Sequence, residues 1–154
     1  LRCFMSESEN NIVYVREVRI NYHGPKRKVF KGIKEAKDAA ELIKKLLPDN
    51  SREHFIGLYL NGAHEMIAYS VIATGVANSC PVHAREVYQP AILSGAVAVL
   101  VAHNHPSGEC SPSSADRLVT KMLKDAGDLL NIKLLDHLIV TDESHYSFMT
   151  EEVF

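Results

Sequence analysis

One short stretch constrains this chain more than any other. Ala96 to Ala102 is its longest unbroken apolar run. Seven residues cannot span a bilayer, which takes about 20 in a helix. An apolar run of this length, rich in valine, is what a strand buried on both faces requires. Such a strand belongs at the centre of a sheet covered on each side. The segments around it agree with that placement. A helical pattern over Ala84–Leu93, with Pro90 inside it, ends at Gly95. After the run comes a loop, His103 to Pro112, and then a long amphipathic helix. Its apolar positions are Ala115, Leu118, Val119, Met122, Leu123, Ala126, Leu129 and Leu130, and its polar face carries Arg117, Lys121, Lys124, Asp125 and Asp128.

Further strands are expected at Glu53–Leu60 and from about Glu65 to Gly75, joined by an Asn61-Gly62 turn signal. Closing strands are expected over Leu134–Thr141 and Tyr146–Met149. The order mixes helix and strand, so the fold class is α/β: a mixed sheet flanked by helices. Ahead of this body lies a strand at Val13–Ile20, a turn at His23-Gly24-Pro25 and a helix within Ile33–Leu47 that stops at Pro48. The expected division is an N-terminal strand–helix annex over 1–50 and a main domain over 51–154.

Composition excludes several alternatives. With 46% apolar and 23% charged residues in 154, the chain can bury a real core. Disordered, collagen-like, coiled-coil and disulfide-knot classes do not fit. Three scattered cysteines without CxxC spacing build no disulfide framework and no four-cysteine zinc site. A reducing cytoplasm is the expected setting. Leu1–Met5 runs directly into Ser6-Glu7-Ser8-Glu9, so neither a secretory signal nor a membrane association is expected. The net charge of −2 hides an asymmetry: residues 1–52 carry +5 and residues 53–154 carry −7. A basic front can meet an acidic partner or nucleic acid, or can simply be a solvated face.

The chemistry concentrates where the apolar run ends. Residues two apart on an extended segment point the same way, so His103 and His105 present both imidazoles to one point. Asp116 falls in the first turn of the following helix, and Pro106, Gly108 and Pro112 shape the loop between. Two imidazoles and a carboxylate with an open position are the ligand set of a catalytic zinc, which lowers the pKa of its bound water to about 7. Another reading stands beside this one. Ser113 and Asp116 also form the S-x-x-D pattern of a capping box, with Ser113 at the N-cap and Asp116 three positions on. Asp116 is expected to do one job or the other, because its oxygens do not easily serve both.

Here the residues meet a known pattern. His103-x-His105-Pro106, with Ser113 eight and Asp116 eleven residues after His105, resembles the JAMM motif of the JAB/MPN metalloprotease fold. Ala102–Gly108, Val82–Val87 and Leu135-Asp136-His137 resemble its RadC-like branch, over about residues 51–150. The resemblance implies a JAB/MPN-like, cytidine-deaminase-like architecture holding Zn2+. His103, His105 and Asp116 would be the metal ligands. Glu53, which precedes a phenylalanine in the strand before the motif as the family's glutamate does, would carry protons from water to the leaving amine. Ser113 would hydrogen-bond the oxyanion. His83, Arg85 and Glu86 would line a substrate groove, or else pair locally at a helix N-terminus. His137 is either a partner of a zinc ligand or a satisfied strand histidine, and Asp136 shares that ambiguity. Cys110 reads as a passive loop residue. His23, His54, His64 and His145 read as surface or turn residues.

The expected function is therefore a zinc metallohydrolase that cleaves a peptide or isopeptide amide bond on an unidentified protein substrate. The alternative is a DNA repair or recombination accessory protein with a structural or vestigial metal site. That alternative rests on the basic front and the family name, although residues 1–50 lack the glycine hairpin between two helices that RadC-like proteins often carry for DNA. A metal-free scaffold is the third reading.

Overall fold

Alternation of side chains across one sheet explains the architecture. A computed structural model describes residues 33–75 and 82–152, so the expected strand at 13–20 and turn at 23–25 lie outside the described residues. The elements in chain order are α1 (Ala36–Leu46), β1 (Glu53–Leu60), β2 (Met66–Gly75), α2 (Ala84–Ser94), β3 (Ala98–Asn104), α3 (Ser114–Leu130), β4 (Lys133–Val140), β5 (His145–Ser147) and α4 (Phe148–Glu151). The five strands form one sheet in the order β2-β1-β3-β4-β5. The β3–β4 pair is parallel, with α3 as its crossover, and the other pairs are antiparallel. The sheet is thus mixed, as expected.

Every residue of β3 is buried, as a strand covered on both faces must be. Its even-numbered side chains Ala98, Leu100 and Ala102 join Ile56, Leu58 and Leu60 of β1 beneath α1. Its odd-numbered Val99 and Val101 join Phe55 and Tyr59 beneath α2 and α3. Two cores therefore sandwich the sheet. The α1 side chains Ala39, Ala40, Leu42 and Ile43 are part of the first of them. Where α2 and α3 cross, Gly127 lets them approach: a Cβ there would run into the Tyr88 hydroxyl and lie 2.6 Å from the Ile132 carbonyl. Gly95 (φ +69°) and Asn131 (φ +56°) end α2 and α3 in the left-handed conformation.

Three expectations change. β3 does not give way to a loop at His103 but runs on to Asn104. The closing strand does not run to Met149. It ends at Ser147, whose hydroxyl accepts from Thr150 N–H and starts the short α4. His54 is not a surface residue but 2% exposed, with Nδ1 2.9 Å from Thr74 Oγ1. It lies on a strand whose two faces are both covered, which its own polarity conceals. No described helix is long and apolar enough to cross a membrane.

Candidate metal centre

The strand parity that builds the core also aims the polar residues. β3 continues past its apolar run through His103 and Asn104. His103 follows Val99 and Val101 onto the α3 face, where Phe55 stacks on it at 5.9 Å between ring centroids. Phe55 is paired with His103 across the ladder, so Glu53, two residues earlier, reaches the same face. Asn104 points to the opposite face and clamps the end of β1. Its Oδ1 accepts from His54 N–H at 2.8 Å, and its Nδ2 donates to Arg52 O and Asn50 Oδ1, each at 2.9 Å. These bonds bracket the backbone of Glu53 where the β1–β3 ladder has already ended.

Four groups converge on the α3 face. His103 Nε2 lies 3.0 Å from His105 Nε2, 3.3 Å from Asp116 Oδ1 and 3.7 Å from Glu53 Oε1. His105 Nε2 lies 3.9 Å from Glu53 Oε1. Glu53, His103 and His105 each offer a ligand atom within 4.8 Å of the others. The loop holds His105 in place: its Nδ1 donates to the Glu109 carbonyl at 2.6 Å, its own N–H donates to Val140 O, and Gly108 turns the chain at φ +83°. His103 Nδ1 faces His137 Nε2 at 2.9 Å.

The two readings of Asp116 turn out to be compatible. Asp116 Oδ2 accepts from Ser113 N–H at 2.7 Å and from Ser113 Oγ–H at 2.6 Å, while Ser113 Oγ accepts from Asp116 N–H at 3.2 Å. That is a full capping box, with an aspartate in place of the usual Glu or Gln. It occupies one carboxylate oxygen and leaves the other against His103. The capping reading is therefore met by Oδ2 and Ser113, and it leaves Oδ1 available, so the box does not by itself exclude the second role.

The donors fit a small divalent cation. Tetrahedral zinc, with nitrogen and oxygen at about 2.0–2.2 Å, sets neighbouring donor atoms roughly 3.3 Å apart. The His103–His105 and His103–Asp116 separations of 3.0 and 3.3 Å match that edge. The Glu53 separations of 3.7 and 3.9 Å are longer, yet Glu53, His103 and His105 form the cluster whose ligand atoms all lie within 4.8 Å of one another, and Asp116 Oδ1 approaches it from the His103 side. Since a carbonyl only accepts, His105 Nδ1 carries the proton and its Nε2 directs a lone pair at His103 Nε2. That lone pair can accept an N–H from His103 or, with His103 Nε2 unprotonated, share a cation with it.

The electrostatics agree. Burial pushes the His103 imidazole down to about 4; Asp116 pulls it partly back and His105 lowers it further. Burial, then the charges of His103 and His105, hold His137 well below the ordinary histidine value. Both rings are therefore neutral near pH 7 and free to accept. Burial raises the Glu53 carboxyl, with His105 opposing and Asp116 adding to the rise. A raised carboxyl beside neutral ligands is a competent proton acceptor.

His83, Arg85 and Glu86 lie at the start of α2. Glu86 accepts from His83 N–H at 3.3 Å at the start of α2, the local pairing that was the alternative for this pair. Arg85 lines a 350 Å³ cavity with Tyr88, Gln89, Ile92 and Leu130. Cys110 Sγ sits 2.9 Å from Ser144 Oγ. Asp136 binds His137 N–H, Met149 N–H and Ser147 Oγ–H, so its role is to fasten β4 to β5 and α4.

A mixed sheet whose central strand delivers an HxH pair to two carboxylates defines a metallohydrolase-like fold. Residues 33–153 match the model of the RadC-like JAB domain, and the chain belongs to that family. It is 40% identical over 116 residues to a UPF0758 protein of Chlorobaculum tepidum, covering 75% of this chain and 52% of that protein. It is 44% identical over 110 residues to a UPF0758 protein of Shouchella clausii, covering 71% and 48%. A Flavobacterium johnsoniae UPF0758 protein is 37% identical over 125 residues, covering 81% and 55%. The chain spans about half the length of the curated relatives it matches.

Proposed function

We propose that this chain is a zinc-dependent metallohydrolase that cleaves a peptide or isopeptide amide bond on a protein substrate. The observation that carries the reading is the convergence of His105 Nε2 and Asp116 Oδ1 on His103 Nε2 at zinc-like separations, with Glu53 beside them. His103, His105 and Asp116 would hold the ion. When bound, zinc supplies Lewis acidity that polarises the scissile carbonyl and acidifies water. Glu53 takes the proton of the attacking water on its carboxylate and delivers it to the leaving amine nitrogen. Ser113 Oγ–H, which donates to Asp116 Oδ2 at rest, turns to donate to the carbonyl oxygen as it gains charge. His83, Arg85 and Glu86 are proposed to contact the substrate chain beyond the metal.

Elemental analysis of the full chain, purified without added metal or a histidine tag, is the first test. The expected result is near one zinc per chain, lost in His103→Ala/His105→Ala. Quenched-fluorescence peptides and isopeptide-linked peptides then serve as probes. Cleavage should vanish in Glu53→Gln while zinc is retained. A wild-type chain that takes up no zinc when zinc is offered would sink the reading.

The charge of +5 over residues 1–52 supports a second reading, an accessory protein on DNA with a structural metal site. Duplex binding that weakens with salt at a slope of several phosphate contacts would favour it. Absence of binding at low salt would remove it.

A further inference from the structure

His103 ligates only if its proton sits on the far nitrogen, and the residues behind it dictate where that proton sits. Thr120, on α3 and 3% exposed, has its hydroxyl oxygen 2.7 Å from the Asp116 carbonyl, one turn back, and 2.6 Å from His137 Nδ1. A carbonyl accepts and never donates, and a hydroxyl has one hydrogen. That hydrogen goes to Asp116 O, a back-bond common for threonine in helices. His137 Nδ1 must then donate to Thr120 Oγ1. A neutral imidazole has one N–H, so His137 Nε2 is an acceptor. The atom facing it at 2.9 Å is His103 Nδ1, which must donate. His103 Nε2 is left with a lone pair, facing His105 Nε2 at 3.0 Å and Asp116 Oδ1 at 3.3 Å.

We propose that Thr120 and His137 are positioning residues for the metal centre, a buried relay that fixes His103 as the Nδ1–H tautomer and so leaves Nε2 open to a metal ion. The proposal rests on reading His103 as a ligand. The relay is held rigidly. His137 is fully buried, stacked on Phe148 at 4.9 Å and tilted against Phe55 at 5.3 Å. It also begins and ends at one residue: the Asp116 carbonyl orients Thr120, and Asp116 Oδ1 stands 3.3 Å from the nitrogen that the relay frees. A histidine without such a partner carries its proton on either nitrogen, and half of that choice blocks ligation.

The test has two readouts. Long-range 15N–1H NMR on the metal-free wild-type chain reports which nitrogen of each histidine bears the proton. Competition against a chromogenic chelator reports zinc affinity in the wild type, Thr120→Val and Thr120→Ser. His103 and His137 should both be Nδ1–H in the wild type. Thr120→Val should lose that uniformity and bind zinc about 10- to 100-fold more weakly, and Thr120→Ser, which keeps the hydroxyl, should restore both. A lower melting temperature in Thr120→Val would follow from any structural role, so it decides nothing; tautomer and affinity decide. A wild-type His103 protonated on Nε2, or a Thr120→Val chain with wild-type affinity, would overturn the proposal. If Thr120→Val does not fold, the wild-type spectrum alone decides. If the wild type binds no zinc, the metal reading fails, and the spectrum still separately decides the relay.

Discussion

The N-termini of α3 and α4 are built alike and do different things. At each, a serine caps the helix by accepting from the N–H three residues on, Ser113 from Asp116 and Ser147 from Thr150. At each, the same hydroxyl donates to the Oδ2 of an aspartate, Asp116 at 2.6 Å and Asp136 at 2.7 Å. The second oxygen separates them. Asp136 Oδ1 accepts from His137 N–H and Met149 N–H. Among the described residues Asp116 Oδ1 takes no backbone N–H or hydroxyl, and it faces His103 Nε2 at 3.3 Å. One carboxylate has used its acceptors on the fold. The other keeps one oxygen for something outside the chain. A buried polar group ordinarily finds partners within the protein, so an acceptor left over among imidazole lone pairs marks where a ligand belongs.

The largest expected effect separates the two aspartates outright. Asp116→Ala should take zinc content from near one per chain to near zero, read by elemental analysis. It should lower the stability of the metal-free protein by only about 1 kcal/mol, the worth of the lost cap interaction. Asp136→Ala should do the reverse. It strands the buried donors of His137 and Ser147 and the part-buried N–H of Met149 together, which costs roughly 3 kcal/mol in denaturant unfolding, while the chain that does fold still binds zinc. If Asp136→Ala abolished zinc in folded protein, the contrast between the two corners would fail.

Much of this contrast was visible in the residues. The β1 boundaries, the start of α2, its glycine stop and the length of α3 follow from periodicity, Ser113 and Gly95, which act locally. His103, His105, Ser113 and Asp116 stood out through their spacing along the chain. What stayed hidden depends on contacts across the sequence. β3 was expected to end at Ala102, but it carries two polar residues further because Asn104, turned to the α1 face, binds the chain 50 to 54 residues before it. The sequence leaves His137 between a strand histidine and a partner of a zinc ligand, and only the meeting of β3, β4 and α3 gives it His103 on one nitrogen and Thr120 on the other. The split duty of Asp116 is a matter of single oxygens, below the resolution of any motif.

Acidity offers a smaller and reversible way to sharpen the comparison. The His103 imidazole falls to about 4 in the fold from an unfolded value of 6.5, and His137 falls too. Between those values the unfolded chain binds more protons than the folded one, so stability rises with pH there. It is complete above about 6.5 and is lost as pH falls toward 4. From pH 7.5 to 5, His103 alone should remove roughly 2 kcal/mol from the metal-free protein. Glu53 and Asp136 act with the opposite sign. Their carboxyls lie above the ordinary value, so they favour the unfolded chain as pH rises through the folded pKa, and acidification relieves them. Urea midpoints with a chelator present should therefore fall on the acid side less steeply than the histidines alone would dictate. Asp136→Asn, which removes one of the opposing carboxyls, should steepen the fall.

The smallest effect tests the serines. Ser113→Ala and Ser147→Ala each remove a helix cap and a bond to an aspartate, so each should cost about 1 kcal/mol in unfolding. By stability alone the two variants should be nearly indistinguishable. They should part in the amide-cleavage assay. Ser147 lies at the α4 corner, and its loss should leave the proposed cleavage by the folded protein unchanged. Ser113 adjoins Asp116, and its hydroxyl is the proposed donor to the oxygen that gains charge. Loss of one such donor lowers kcat by about 100- to 1,000-fold in hydrolases where it has been removed. Zinc content should hold in both, because Asp116 Oδ2 still accepts from Ser113 N–H at 2.7 Å after the hydroxyl is gone. Equal turnover in the two variants would reduce Ser113 to a cap like Ser147 and leave Asp116 as the only difference between the corners.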